Sequence, residues 1–433
     1  MKPYNFRWMR TKWAMVLALV ALASLPGKSS ADKESQLLTT ADAIAKKVAS
    51  LRGLKLKKSI QRGVMDKRQI KKRLLKRIDQ EYTPAEIAAE EIAMKRLGLL
   101  PADADYLDIV VKLLTDQIAG FYDPWEQQLY IASWGGLGGD MLLAHEIDHA
   151  LQDQHFDLRK FMKEERDNAD AMVARQALVE GDGTAVMIEF TMDDKGLAAP
   201  WGQSEFLETI AQTTASMGGM VDAPLALKKG LLFPYMRGLV FVGHYLRHNS
   251  WRRIDKMYKK PPLSTEHILH PDKFDAYEKP VEVKSAALPT LKGYKLAYDN
   301  VSGELGMSIL FEQHGAGEDK AAEAAAGWGG DRLVIYTPPG HKGKVGGTVG
   351  VSYSVWDETA DAIEFFEALS DAMPSLAGGK SIVLEADRVE YKTRSGAIAI
   401  AERKRDAVVL VVGAPPARAD DVVEQTWLLW KRE

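Results

Sequence analysis

Through most of the first 290 residues apolar side chains recur every three or four positions, and after about Leu291 they begin to alternate. This change of period constrains the fold more than any other feature. A stripe at 3.6-residue spacing buries one side of a helix, whereas strict alternation buries one face of a strand. The spacing predicts helices over residues 37–51, 84–97 and 105–120. The second of these has Thr83 as N-cap, Pro84 at its first position and Gly98 at its end. "FYDPWEQQLYIA" (121–132) reads as a hairpin around Asp123-Pro124, and "SWGGLGGD" as a loop that delivers Asp140 as the N-cap of the next helix. Further helices are expected over 168–190, 204–217 and 231–248, with a proline-bounded helical turn in "PPLSTEHILHP" (261–271). Beyond Leu291, a helix at 302–313 precedes strands in "GWGGDRLVIY", "TVGVSYSVW", "SIVLEADRVEYK", "GAIAIAER" and "AVVLVVGA", with helices at 359–373 and at the C-terminus. The expected class is α+β: a mostly helical portion with a small sheet over 32–290, then an α+β portion over 291–433.

Residues 1–31 have the layout of a signal peptide. Lys2, Arg7, Arg10 and Lys12 precede an apolar run from Trp13 to Leu25, and "SSA" at 29–31 offers small residues for cleavage before Asp32. The run is short for a membrane span of ~20 residues, so an exported protein of the periplasm or medium is expected, with no stable membrane insertion after cleavage. The net charge of −3 gives no argument for a nucleic-acid partner. Residues 52–77 hold twelve Lys or Arg and a single acid, Asp66, and read as a solvated helix face.

The chain has no cysteine and only nine histidines, three of which lie in "MLLAHEIDHALQDQH" (141–155). Without thiolates, a zinc site must be built from histidine and carboxylate. His145-Glu146-Ile147-Asp148-His149 fits H-E-x-x-H. On a helix, positions four apart differ by about 40°, so both imidazoles face one point while Glu146 stands beside it as a general base for a metal-bound water. Two residues compete for the third ligand. His155 has the spacing of the longer histidine pattern, but that pattern needs a glycine where this chain has Gln152, and in a continuous helix His155 turns away. Glu180 is favoured: it falls in line with Ala169, Val173 and Ala177 on an otherwise apolar face, where an unpaired acid is costly. Gly181 and Gly183 allow close approach there. Asp153, one turn beyond His149, and Asp182 are candidates to orient a ligand. His267 and Tyr122 are candidates to donate to a developing oxyanion.

With these residues the chain resembles the zincin metallopeptidases of the gluzincin branch, and a set of exported, mostly uncharacterised bacterial zincin-like proteins. The phrases that carry the likeness are "QIAGFYDPWEQQLYI", "HEIDHALQDQHFDL", "ALVEGD", "LSTEHILHP" and "AAAGWGGDR", which together span Gln117 to Arg332. The resemblance implies Zn2+ held by His145, His149 and Glu180, Glu146 as base, and a hairpin strand around Tyr130 that pairs with an extended peptide substrate. It departs from the gluzincin pattern after Glu180, which is followed by "GDGT" rather than the usual glutamate-helix signature. The function expected is zinc-dependent peptide hydrolysis on a peptide or protein substrate. The alternatives are a non-catalytic zincin-fold protein of binding or envelope assembly, and a zinc amidase acting on cell-wall peptides.

Overall fold

The computed structural model describes residues 30–117, 120–133, 139–163, 167–203, 209, 223–248, 250–341 and 343–433. The leader read over 1–31, save its last two residues, and the helix expected over 204–217, save Thr209, lie outside them. The fold is α+β. Helix α1 (Ser30–Arg52) leads to strand β1 (Gln61–Met65) and helices α2 (Lys67–Glu81), α3 (Pro84–Arg96) and α4 (Tyr106–Gln117). The hairpin β2 (Gly120–Asp123) and β3 (Gln128–Ala132) follows, then α5 (Gly139–Phe156), α6 (Leu158–Phe161), α7 (Ala169–Asp193) and α8 (Leu225–His248). Shorter helices α9 (Trp251–Met257), α10 (Thr265–Leu269) and α11 (Pro271–Ala276) close this portion, and the short strand β4 (Val283–Lys284) then pairs with β12 (Lys431–Arg432) at the chain's end.

Local chemistry accounts for several boundaries. At α3, Thr83 Oγ1 accepts from Glu86 N at 3.2 Å, and the Glu86 carboxylate accepts from Thr83 N at 2.8 Å, a reciprocal cap with Pro84 where no N–H is needed. Three expectations are corrected. Between Arg52, which ends α1, and Lys67, which begins α2, the basic stretch 52–77 is not helical; within it Gln61–Met65 is a strand, parallel to β3. The strand containing Tyr130 is interior, because the sheet order is β1-β3-β2, so both its edges are filled and it has none to offer a peptide. Asp140 lies inside the first turn of α5 rather than capping it.

Helix α5 is the centre of the helical portion. Leu142 through Asp153 are all buried, with α1 on one side, the three-stranded sheet on another and α7 on a third. A helix buried all round must satisfy every polar side chain internally, which is what makes its histidines and acids informative.

The C-terminal portion is an antiparallel seven-stranded sheet ordered β5-β6-β7-β11-β10-β9-β8. Its strands are β5 (Lys295–Asn300), β6 (Trp328–Thr337), β7 (Val349–Trp356), β8 (Lys380–Leu384), β9 (Arg388–Lys392), β10 (Ile398–Lys404) and β11 (Ala407–Ala414). Alternate residues face opposite sides. Ala399, Ala401, Val408 and Leu410 pack under α12 (Gly303–Gln313), α13 (Glu318–Ala325) and α14 (Thr359–Ala377). Ile398, Ile400, Val409 and Val411 pack under α15 (Ala419–Leu429). Both faces are therefore covered, and the period of two seen in the sequence is the period of a sheet between two helical layers.

Candidate metal centre

Two helices build the centre and a third covers it. Helix α5 supplies His145 and His149 from successive turns, and α7 supplies Glu180. The three ligand atoms converge: His145 Nε2 and His149 Nε2 are 2.9 Å apart, and Glu180 Oε2 is 3.2 Å from the first and 3.3 Å from the second. Ligands ~2.0–2.2 Å from one tetrahedral ion are separated by about 3.3–3.6 Å, so a triangle of this size is within reach of one metal ion. His145 and Glu180 are each 2% exposed and His149 is fully buried. Among the described residues no other group of His, Asp or Glu brings three ligand atoms together in this way. This buried group could hold a metal ion.

Helix α7 can lie this close because of its glycines. A Cβ on Gly183 would stand 3.0 Å from His145 Nδ1 and 3.2 Å from His149 Cε1, so only a glycine leaves room for both rings. On its other side α7 crosses α8 backbone to backbone, where a Cβ on Gly181 would strike the Gly238 carbonyl. That crossing brings Tyr235, one turn before Gly238, against the His145 ring, with centroids 6.1 Å apart and planes at 28°.

The nitrogen of His149 that faces away from the triangle is also committed. His149 Nδ1 donates to Gln152 Oε1 at 2.9 Å, which leaves the Nε2 lone pair directed at the centre. Gln152 is itself held from two sides, donating to Asp148 Oδ2 at 2.6 Å and to the Val179 carbonyl at 3.1 Å. Burial disfavours charge throughout the group, but the partners decide where it resides. Without a metal, the two rings keep Glu180 ionised, and Glu180 holds the compensating proton on His149, whereas burial and His149 push His145 down.

Glu146 is buried beside the triangle. Its Oε2 accepts from the backbone N–H of Tyr122 on β2 at 2.8 Å, and its Oε1 has no hydrogen-bond partner among the described residues. Burial pushes this carboxyl up to about 8, with His149 opposing and Glu180 adding to the rise. A buried carboxylate oxygen with nothing to accept from is costly unless something occupies the space before it.

The remaining sequence candidates are engaged elsewhere. Asp153 accepts from the Tyr122 hydroxyl at 2.8 Å and from Leu158 N at 3.0 Å, so it ties the hairpin to α5 and does not orient a histidine. Tyr122 therefore contributes its backbone N–H to Glu146, while its hydroxyl is spent on Asp153. His267 has both ring nitrogens occupied, Nδ1 accepting from Leu263 N and Nε2 donating to the Glu278 carbonyl, and has no N–H left for an oxyanion. Asp182 binds Arg52 and Tyr258. His155 lies at the half-buried end of α5, donating to the Lys55 carbonyl at 2.8 Å. The sequence reading missed Gln152, Tyr235 and Arg52. Only Gln152 had a local signal, since it stands three residues after His149 on the same helix face.

Comparison with known proteins bears on the other portion. Residues 294–424 match the model of a domain of unknown function, DUF8575, which covers the stretch from the first strand of the large sheet into α15 and includes none of the centre's residues. No curated protein and no solved structure matches the chain.

Proposed function

We propose that the chain is an exported zinc-dependent peptidase whose centre lies between α5 and α7. His145, His149 and Glu180 would hold the ion. They form a nitrogen and carboxylate set suited to zinc, on a chain that has no thiolate to offer. When bound, zinc supplies Lewis acidity to a substrate carbonyl and lowers the pKa of water towards ~7. Glu146 does the proton work. Pinned at Oε2 by the Tyr122 N–H, it presents Oε1 to take a proton from the attacking water and return it to the departing nitrogen.

β2 is the outer strand of its sheet beside Glu146, so an extended peptide would run along β2 and carry its scissile bond past Oε1. The observation that carries this reading is the orphaned Glu146 Oε1. A purely structural metal site has no use for a buried, unpaired carboxylate next to its ligands.

The test is zinc content and hydrolysis of an unfolded casein, with Glu180→Ala and Glu146→Gln alongside the natural chain. About one zinc per chain is expected, lost in Glu180→Ala and retained in an inactive Glu146→Gln. Absence of zinc from the natural chain after supplementation would refute the proposal. Zinc with cleavage of peptidoglycan stems and not of casein would move the substrate to cell-wall peptides.

A further inference from the structure

Arg52 ends α1, far before His149 in sequence, and is fully buried. Its Nε and Nη2 donate to the two oxygens of Asp182 at 2.7 and 2.9 Å. Its Nη1 lies 2.8 Å from Asp255 Oδ1, and its guanidinium plane covers the Trp251 ring at 4.4 Å. Asp182 sits on α7 between Glu180 and Gly183, the ligand and the glycine that receives both imidazoles. The Arg52 charge also acts on Asp148 of α5, whose Oδ2 holds the amide that fixes His149 and whose Oδ1 has no hydrogen-bond partner among the described residues. Arg52 is the guanidinium that acts on both buried acids, one on each ligand-bearing helix.

The chain that follows is strapped to the same helix. Gln154 accepts from the backbone N–H of Lys57 at 2.8 Å and donates to the Lys58 carbonyl at 3.1 Å, His155 donates to the Lys55 carbonyl, and β1 then adds to β3.

We propose that Arg52 is a positioning residue of the metal centre, acting through Asp182 on the Glu180 helix and through Asp148 and Gln152 on His149. The helix that carries it is then a permanent part of the working protein and not a removable pro-segment. This deepens the reading of the preceding subsection and rests on it for the identity of the metal. Withdrawing α1 would leave Asp182 and Asp148 buried without their cation, which is far more disruptive than removing a pro-segment docked by its surface. Arg52 also carries a geometry that lysine lacks, because two parallel N–H groups orient Asp182 as well as neutralise it.

The experiment uses the full chain and reads zinc affinity by competition with a chelating dye. Arg52→Met, Gln152→Leu and the double variant are compared with the natural protein, and circular dichroism of each metal-free form checks folding. Each single change should weaken zinc binding about tenfold to a hundredfold. The double variant should lose less than the two losses combined, because the Arg52 charge and the Gln152 amide both act on His149 by way of Asp148. Arg52→Lys should recover part of the affinity, and it carries the comparison if Arg52→Met does not fold. In a second arm, a protease sequence inserted at Gly53 is cut, and α1 should stay bound with zinc retained. Full affinity in folded Arg52→Met, strictly additive losses, or release of α1 from a chain that keeps its zinc would each overturn the proposal. A natural chain that binds no zinc would instead refute the reading it rests on.

Discussion

Helix α7 carries two buried acids whose surroundings differ in kind. Glu180, in the middle, meets the Nε2 atoms of two imidazoles. Asp170, in the first turn, meets donors only: Thr265 N at 3.0 Å and Thr265 Oγ1 at 2.5 Å. Asp170 belongs to a second buried acidic cluster, where α7 meets α10, α12 and β6. There Asp331 accepts from Ser302 N at 3.0 Å, Gly303 N at 2.9 Å and Trp328 Nε1 at 3.0 Å, and Glu304 accepts from His270 Nε2 at 2.8 Å. Among the described residues, Glu304 keeps one oxygen without a hydrogen-bond partner, yet no group of three ligand atoms forms around it. Both clusters are rich in acid and hidden from water. In one, three ligand atoms converge on a single point; in the other, most lone pairs are spent on N–H and O–H groups of neighbouring elements. The first arrangement suits a bound cation, and the second holds the helical portion to the large sheet.

If that distinction is right, the two clusters should fail differently when cut. The largest effect is expected from Glu146→Gln, which keeps the shape of the side chain and removes the base. Hydrolysis should fall by about a thousandfold, roughly 4 kcal/mol of barrier, with zinc content and melting temperature nearly unchanged. A fall in zinc content to match would mean that Glu146 is a structural part of the centre. Asp331→Ala should do the reverse. It strands three buried donors at about 1 kcal/mol each, so stability should drop by about 3 kcal/mol in urea titration, while the folded fraction still binds zinc. Loss of zinc from folded Asp331→Ala would show that the two clusters are one coupled unit.

The clusters should also respond to pH in opposite directions. Burial pushes Asp170 from its ordinary 3.8 up to about 8, with the Thr265 donors opposing and Asp331 and Glu304 adding to the rise. Between those values the folded chain holds a proton that the unfolded chain has lost. Stability from this group therefore falls as pH rises through that window and is level above it. Burial pushes Glu266 the same way, up to about 7, against the Lys273 ammonium. Metal binding runs the other way, since imidazole and carboxylate must be free of protons to ligate. Asp170→Asn should flatten the decline in melting temperature between pH 5 and pH 8 in the metal-free chain, and should leave the rise of zinc affinity with pH in place. An unchanged decline would remove Asp170 from this account.

Much of this was legible in the sequence, for a definite reason. Periodicity fixes direction along one element, so His145 and His149 had to share a face, Glu180 had to lie on the apolar line of its helix, and the alternating runs after Leu291 had to be strands. What periodicity cannot give is the partner across space. Asp153, Tyr122 and His267 have the right chemistry for roles at the centre, but each is saturated by a neighbour from another element. Arg52 stood in a stretch that reads as a solvated basic face, because eleven further cations follow it, the last of them Arg77; its burial depends on α7 and α9, far along the chain. Strand β1 was hidden for the same reason, since lysines and arginines around it mask a segment that pairs through its backbone.

A smaller effect tests how tightly the centre is packed. Gly183→Ala places a methyl 3.0 Å from the His145 ring, tighter than ordinary contact, so the ring or α7 must give way. Zinc affinity should fall by about tenfold, the scale of a disturbed ligand orientation. A melting temperature that drops while affinity holds would mean that α7 as a whole has shifted and the ligand triangle has moved with it.

The smallest effect is expected at the residue that most resembles a ligand on paper. His155 completes the spacing of the longer histidine pattern, yet α5 runs straight through Gln152, and Gln152 is occupied in holding His149. The His155 ring is thereby carried to the end of the helix, where its Nε2 donates to the Lys55 carbonyl in the strap behind α1. Such a bond contributes about 1 kcal/mol or less at a partly exposed position. His155→Ala should accordingly cost no zinc and no activity, and lower the melting temperature by a few degrees at most. Loss of the metal in His155→Ala would require α5 to break at Gln152, and would overturn both the ligand triangle and the role assigned to that amide.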